Sequence, residues 1–251
     1  MNIILFDDIP KFISLTDIRG KHLKKVLKLR EGDSFRAGLV DGPLGEVLIT
    51  ATGSEGYEVE WKETTPAVEP HPLSMIVGFV RPISVKRILR EAASLGVGRL
   101  IFTVTDTGER SYREANLWKT GEYRDYLVNG LQTAGATVLP EVVLTGGVDE
   151  AIREVKRQGL REVQSRTSGG GEARFVLDKA SGAPFLGSVK LPVRDVVLAV
   201  GSERGWSERE RCLFEGEGFQ TVGLGRRVLR TETACSVGAA LALAGMGLLD
   251  S

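Results

Sequence analysis

The chain has 251 residues, 42% hydrophobic and 26% charged, and its 33 lysines and arginines balance 33 aspartates and glutamates. That length carries one large core or two smaller ones, the apolar content excludes a disordered chain, and no apolar run is long enough to cross a bilayer as a helix. Balanced charge excludes a global basic field, so any affinity for nucleic acid must come from local patches.

The opening MNIILFDDIPKF puts Asp7 and Asp8 directly after a short apolar run, where a secretory signal would have a basic start and a small-residue cleavage site; a cytoplasmic protein is expected. Asn2 to Phe6 predicts a strand, Ser34 to Thr50 alternates apolar and polar residues around the turn Asp41-Gly42-Pro43, and Tyr57 to Trp61 predicts another short strand. Between the first two, KHLKKVLKLR predicts one amphipathic helix, with Leu23, Val26 and Leu27 on its apolar face and Lys24, Lys25 and Lys28 on another. Residues 1–68 are expected to form a small barrel-like domain. The proline-rich stretch from Thr64 to Pro72 reads as a linker, and residues 69–251 as a second domain.

In this second part the pattern becomes strand, helix, strand, helix. Leu73 to Val80 predicts a strand and Ser84 to Leu95 a helix, with Ile88, Leu89, Ala92 and Leu95 on its buried face. Further strands are expected at Leu100 to Thr105, Val138 to Leu144, Arg174 to Leu177, Asp195 to Val200 and Gln220 to Val222. Such alternation predicts an α/β fold with a mainly parallel sheet covered on both faces. QSRTSGGG, from Gln164 to Gly171, reads as a surface loop, and no internal repeat is present. Cys212 and Cys235 lack partners at metal-ligand spacing, so reduced thiols behaving as small hydrophobes and no metal site are expected.

Two segments carry chemistry. VGSERGW, from Val200 to Trp206, follows an apolar strand, where open α/β sheets bind ligands. Gly201 and Gly205 suit close backbone approach or positive φ, and Ser207 with Glu210 suits a capping box; a plain strand-to-helix turn accounts for the glycines equally well. LGRRVLRTETA, from Leu224 to Ala234, follows the last strand, leads into the small-residue helix Ala234 to Leu249, and is made locally basic by Arg226, Arg227 and Arg230. Gly223 and Gly225 do not extend to a dinucleotide fingerprint, and no lysine follows as in a phosphate-binding loop. Two readings of this segment remain open: a loop whose main chain holds an adenosine-like ligand, or a solvated basic turn capped by Thr231 or Thr233.

HLKKVLKLREGD, Glu109-Arg110-Ser111, GSERGWSERE, LGRRVLRTETA and a terminal alanine-rich helix fall in order along the chain. Together they resemble the ribosomal RNA uridine N3-methyltransferases of the RsmE type, in the SPOUT superfamily, over nearly the whole sequence. The chain departs from the family's pattern at Ser202 and Arg204, where proline and glycine are usual, and at Asn129 and Ala136, where glutamate and arginine are.

The resemblance implies an N-terminal PUA-like β-barrel for RNA recognition, then a SPOUT α/β domain threaded as a deep trefoil knot, a rare exception to ordinary topology. It implies S-adenosylmethionine as cofactor, held by Val200, Gly201, Glu203 and Gly205 and by Leu224, Gly225, Val228, Leu229 and Thr231. Small-subunit (16S) ribosomal RNA is the implied substrate; Lys21, Lys24, Lys25, Lys28 and Arg30 form the best local basic cluster to contact it, or else a solvated helix face, and Arg110 and Arg227 are further candidate contacts. Arg230 is implied to stabilise charge on the uracil, with Glu232 orienting it through a bidentate pair rather than acting as a base. A homodimer joined through the small-residue terminal helix is implied as well. The alternatives are another RNA target, or an RNA-binding ribosome assembly factor that kept the fold without catalysis.

Overall fold

The computed structural model describes residues 2–165, 172–179, 182–191 and 195–249. The chain divides into two compact units, Met1–Glu69 with Val128–Leu139, and Pro70–Leu127 with Pro140–Ser251.

In the first unit, β1 (Ile4–Phe6), β2 (Phe12–Ser14), β3 (Ser34–Leu39), β4 (Leu44–Thr52) and β5 (Gly56–Thr65) form one curled sheet in the order β1-β3-β4-β5-β2. The β1–β3 pair is parallel and the others antiparallel. Alternation along β4 puts Val47 and Ile49 inward and Glu46, Leu48 and Thr50 outward. The inward residues join Ile4, Phe6, Ile13, Phe35, Tyr57 and Val59 in one core. Residues 128–139 are sewn to this sheet by main-chain bonds: the Gln132 carbonyl accepts from the Asn2 and Ile3 amides (2.9 and 3.2 Å), and Asp41 N–H donates to Thr137 O (2.9 Å).

The amphipathic helix expected over 21–30 is not one helix. α1 (Ile18–His22) passes into a π turn over Leu23–Leu27, which Lys28 ends in the left-handed region at φ +55°. A wider turn adds a residue per revolution and swings later side chains off the first one's face. Leu23 is fully buried, whereas Val26 is 63% and Leu27 42% exposed. Other sequence expectations shift at their edges. β2 was not anticipated, and Thr64 and Thr65 end β5, so the linker shrinks.

In the second unit β6 (His71–Gly78), β7 (Val97–Thr103), β8 (Glu141–Thr145), β9 (Ala173–Leu177), β10 (Val196–Val200) and β11 (Gln220–Val222) form a six-stranded sheet in the order β11-β9-β10-β6-β7-β8. Every pair is parallel. The chain lays β6, β7 and β8 outward on one side, then returns to β6's open edge, where β10 sits between β6 and β9. A strand covered on both faces should be apolar throughout, and all five residues of β10 are buried.

Between β7 and β8 the chain forms α3 (Asn116–Lys119) and α4 (Tyr123–Ala134). α5 (Val148–Ser165) and α6 (Glu208–Gly216) cover one face of the sheet, where Val148, Ile152 and Phe214 meet Ile76, Ile101, Val197 and Ala199. α2 (Pro82–Ser94) and α7 (Thr231–Gly245) cover the other. α7 lies close because Gly238 has no side chain; a Cβ there would stand 2.7 Å from Leu198 Cδ2. Leu95, expected on the buried face of α2, is its half-buried C-cap. Gln164 and Ser165 end α5, while 166–171 of the expected Ser/Gly-rich loop lie outside the described residues. Cys235 is buried, and burial pushes its thiol pKa up. Cys212 is exposed rather than a small interior hydrophobe.

Candidate active site

Because the six strands are parallel, their C-terminal ends share one edge, and the segments after β6, β7, β10 and β11 all leave from it. After β10 the chain turns sharply at 201–205. A Cβ at Gly201 would lie 2.9 Å from Gly205 Cα, so only glycine allows this approach. Gly205 takes φ +69° and donates to Ser202 O at 2.9 Å. Ser202 is buried, and Thr105 Oγ1 donates to its hydroxyl at 3.1 Å. Glu203 and Arg204 are exposed, and Glu203 Oε1 accepts from Arg81 N–H (3.2 Å) at the start of α2.

The expected capping box is present. Glu210 N–H donates to Ser207 Oγ (3.1 Å) and Ser207 N–H to Glu210 Oε2 (2.7 Å), which starts α6. Beside it, the Arg209 guanidinium and then the Ser207 hydroxyl, both bonded to Asp106, hold that carboxyl below the usual carboxylate range.

After β11, Gly223 is pinned by its N–H to Pro184 O (2.9 Å) and by its carbonyl, which accepts from Leu186 N–H (3.0 Å). From Leu224 to Leu229, no main-chain N–H donates to another described residue. Gly225 takes φ +100°, with nothing within 4 Å of where a Cβ would stand. Arg226, Arg227 and Val228 are exposed, and Leu224 and Leu229 half-buried.

α7 begins earlier than expected, and its N-cap is Arg230, without a side-chain cap bond; neither Thr231 nor Thr233 caps it. Thr231 is buried at the first helical position. Glu232 does not pair with Arg230. Its carboxylate, 14% exposed, accepts from Arg87 Nη1 of α2 at 3.4 Å. Residues two apart at a helix start point in different directions, which separates Arg230 from Glu232.

The structure therefore brings the two predicted loops, Arg230 and Glu232 to one sheet edge. Arg110 is exposed in a 3-10 turn over Arg110–Glu114. The neighbouring Tyr112 hydroxyl, hydrogen-bonded to Arg81, raises that guanidinium's pKa, with Glu203 adding to the effect. Lys21, Lys24, Lys25, Lys28 and Arg30 belong to the first unit and are all exposed. Sequence reasoning missed Arg87 and the Thr105-Asp106-Thr107 segment. The Thr/Asp/Gly composition of 105–108 signals a loop and nothing more. Among the described residues, no group of three or more His, Cys, Asp or Glu side chains is placed to hold a metal.

Residues 67–243 match the model of the RNA methyltransferase domain. The ribosomal RNA small subunit methyltransferase E of Treponema pallidum is 37% identical, covering 97% of this chain and 91% of that protein. This chain belongs to that family of RNA methyltransferases. A second methyltransferase E, from Borreliella burgdorferi, is 29% identical over 93% of this chain and 94% of its own length. The fold is shared with solved structures of a ribosomal RNA small subunit methyltransferase E from Neisseria gonorrhoeae (TM-score 0.72, 21% identity) and of a methyltransferase from Legionella pneumophila (TM-score 0.74, 20% identity), the matches each covering 97% of both chains. The curled N-terminal sheet followed by the parallel six-stranded sheet is thus the two-part α/β fold of those structures, in line with the α/β fold expected from the motifs.

Proposed function

We propose that this methyltransferase transfers a methyl group from S-adenosylmethionine to N3 of a uridine in small-subunit (16S) ribosomal RNA, acting as a cytoplasmic homodimer. The relatives' names point to the small-subunit RNA, and the Neisseria and Legionella proteins are each described with the cofactor bound. The observation that carries the reading is the run of amides over Leu224–Leu229 that donate to no other described residue, at the same sheet edge as the glycine turn 201–205. Main-chain donors without a partner among the described residues, beside glycines, fit an adenine edge, and a Cβ at Gly205 or Gly225 would meet nothing within 4 Å.

S-adenosylmethionine, where bound, supplies a methyl group on sulfur that is open to in-line attack. The protein must hold cofactor and base together and stabilise the negative charge that spreads over the uracil oxygens as N3 loses its proton. Arg230 is assigned the second task. Its guanidinium is exposed at the mouth of α7, has no ion pair among the described residues, and carries fixed donors. Glu232, held by Arg87, braces the first turn of α7 near the helix's positive end. Arg227 and Arg110, both exposed, are assigned to RNA phosphates.

Calorimetric titration with S-adenosylmethionine, combined with kinetics of Arg230→Ala, tests the reading. The variant should bind cofactor within about threefold of the parent and lose about a hundredfold or more in methyl transfer, as for other charge-stabilising donors. Equal turnover would remove Arg230 from the chemistry, and absence of cofactor binding by the parent would remove the cofactor.

A further inference from the structure

Residues 105–107, which follow β7, carry no role in the reading above, yet each is bonded to the 202–210 segment. Thr105 Oγ1 donates to Ser202 Oγ (3.1 Å), Thr107 Oγ1 to Gly205 O (2.8 Å), and Asp106 N–H to Glu210 Oε1 (2.8 Å). The other Glu210 oxygen takes Ser207 N–H at 2.7 Å. Glu210 is fully buried, and both of its oxygens are satisfied by main-chain amides from two different loops.

A helix cap needs only the local bond to Ser207; the second bond spans 104 residues of sequence. Burying a whole carboxylate is costly unless charge-assisted bonds offset it, and here the offset also fixes one loop against the other. The loop so fixed contains Gly201 and Gly205, whose backbone freedom would otherwise let it wander. We propose that Glu210 is a positioning residue, which together with Thr105 and Thr107 holds the 201–205 turn in its cofactor-receiving conformation before S-adenosylmethionine arrives. This role rests on the cofactor reading given above.

Glu210→Gln keeps the size of the side chain but turns an amide NH2 against one of the two N–H donors. The affinity for S-adenosylmethionine should fall about tenfold or more by calorimetry, because one buried donor loses its acceptor. The KM for cofactor should rise in parallel while kcat at saturation stays within about threefold, the pattern of a pre-organisation effect. Amide hydrogen exchange over 201–206 should quicken in the cofactor-free protein. Thr107→Val should weaken binding about threefold or more, and Thr107→Ser, which keeps the hydroxyl, should restore it.

A helix cap and nothing else would lower the thermal midpoint of Glu210→Gln while leaving cofactor affinity and exchange over 201–206 as in the parent; that result overturns the proposal. If Glu210→Gln does not fold, the Thr107 pair decides, and equal affinity in Thr107→Val and Thr107→Ser overturns it. A parent protein that binds no S-adenosylmethionine overturns the cofactor reading itself. A parent that binds, with variants that bind equally, overturns only the role given to Glu210.

Discussion

Gly225 holds φ +100° with open space where a side chain would stand, so replacing it tests backbone conformation without a steric clash. Gly225→Ala should cost about 1–2 kcal/mol of stability in denaturant unfolding, the price of placing an L-residue in the left-handed region. It should also weaken cofactor binding several-fold, because the loop would relax toward negative φ and carry its amides with it. Unchanged affinity would mean that these amides hold no ligand. At this scale much of the site was legible. Gly205 and the Ser207–Glu210 box follow from local chemistry that four to ten residues of sequence display. The partner of Glu232 was not legible, because Arg87 lies 145 residues away and no spacing rule links the two. The second bond of Glu210, to a main-chain N–H on another loop, leaves no mark on residue type at all.

Among the elements, strands were read more faithfully than helix faces. β10 and β11 were found because an apolar run of five and a short strand between turn signals are local patterns. The stretch after His22 failed because a π turn changes the period on which face assignment depends, and Val26 and Leu27 emerge among the lysines instead of under them. That exposure sharpens the expectation for the basic cluster. Reversing charge at Lys24 and Lys28 (Lys→Glu) removes no buried group, so the fold should persist, while RNA affinity falls and the salt dependence of binding flattens by about one to two phosphate equivalents. Filter binding over a salt series reads this directly. An unchanged slope would make the cluster a solvated surface only.

For the whole molecule, alternation predicted a parallel sheet but gave no strand order, and the insertion of β10 between β6 and β9 depends on contacts that no periodicity encodes. Among the described residues no helix is long and apolar enough to cross a membrane. Of the small residues on α7, Ala239 and Ala242 are buried against their own chain, whereas Ala240 is half-buried and Ala244 exposed. Val237, Ala240, Leu241 and Ala244 recur at helical spacing as a partly open stripe, and the proposed homodimer would cover it. Sedimentation velocity at micromolar protein should show twice the chain mass, and a monomer would contradict that assembly.

The proposed methyl transfer takes place at one atom of one base. Small ribosomal subunits lacking the modification, incubated with the protein and methyl-labelled S-adenosylmethionine and then digested to nucleosides, should yield label in N3-methyluridine, with Arg230→Ala yielding little. Label in any other nucleoside, or none, would rule out N3 of uridine as the acceptor.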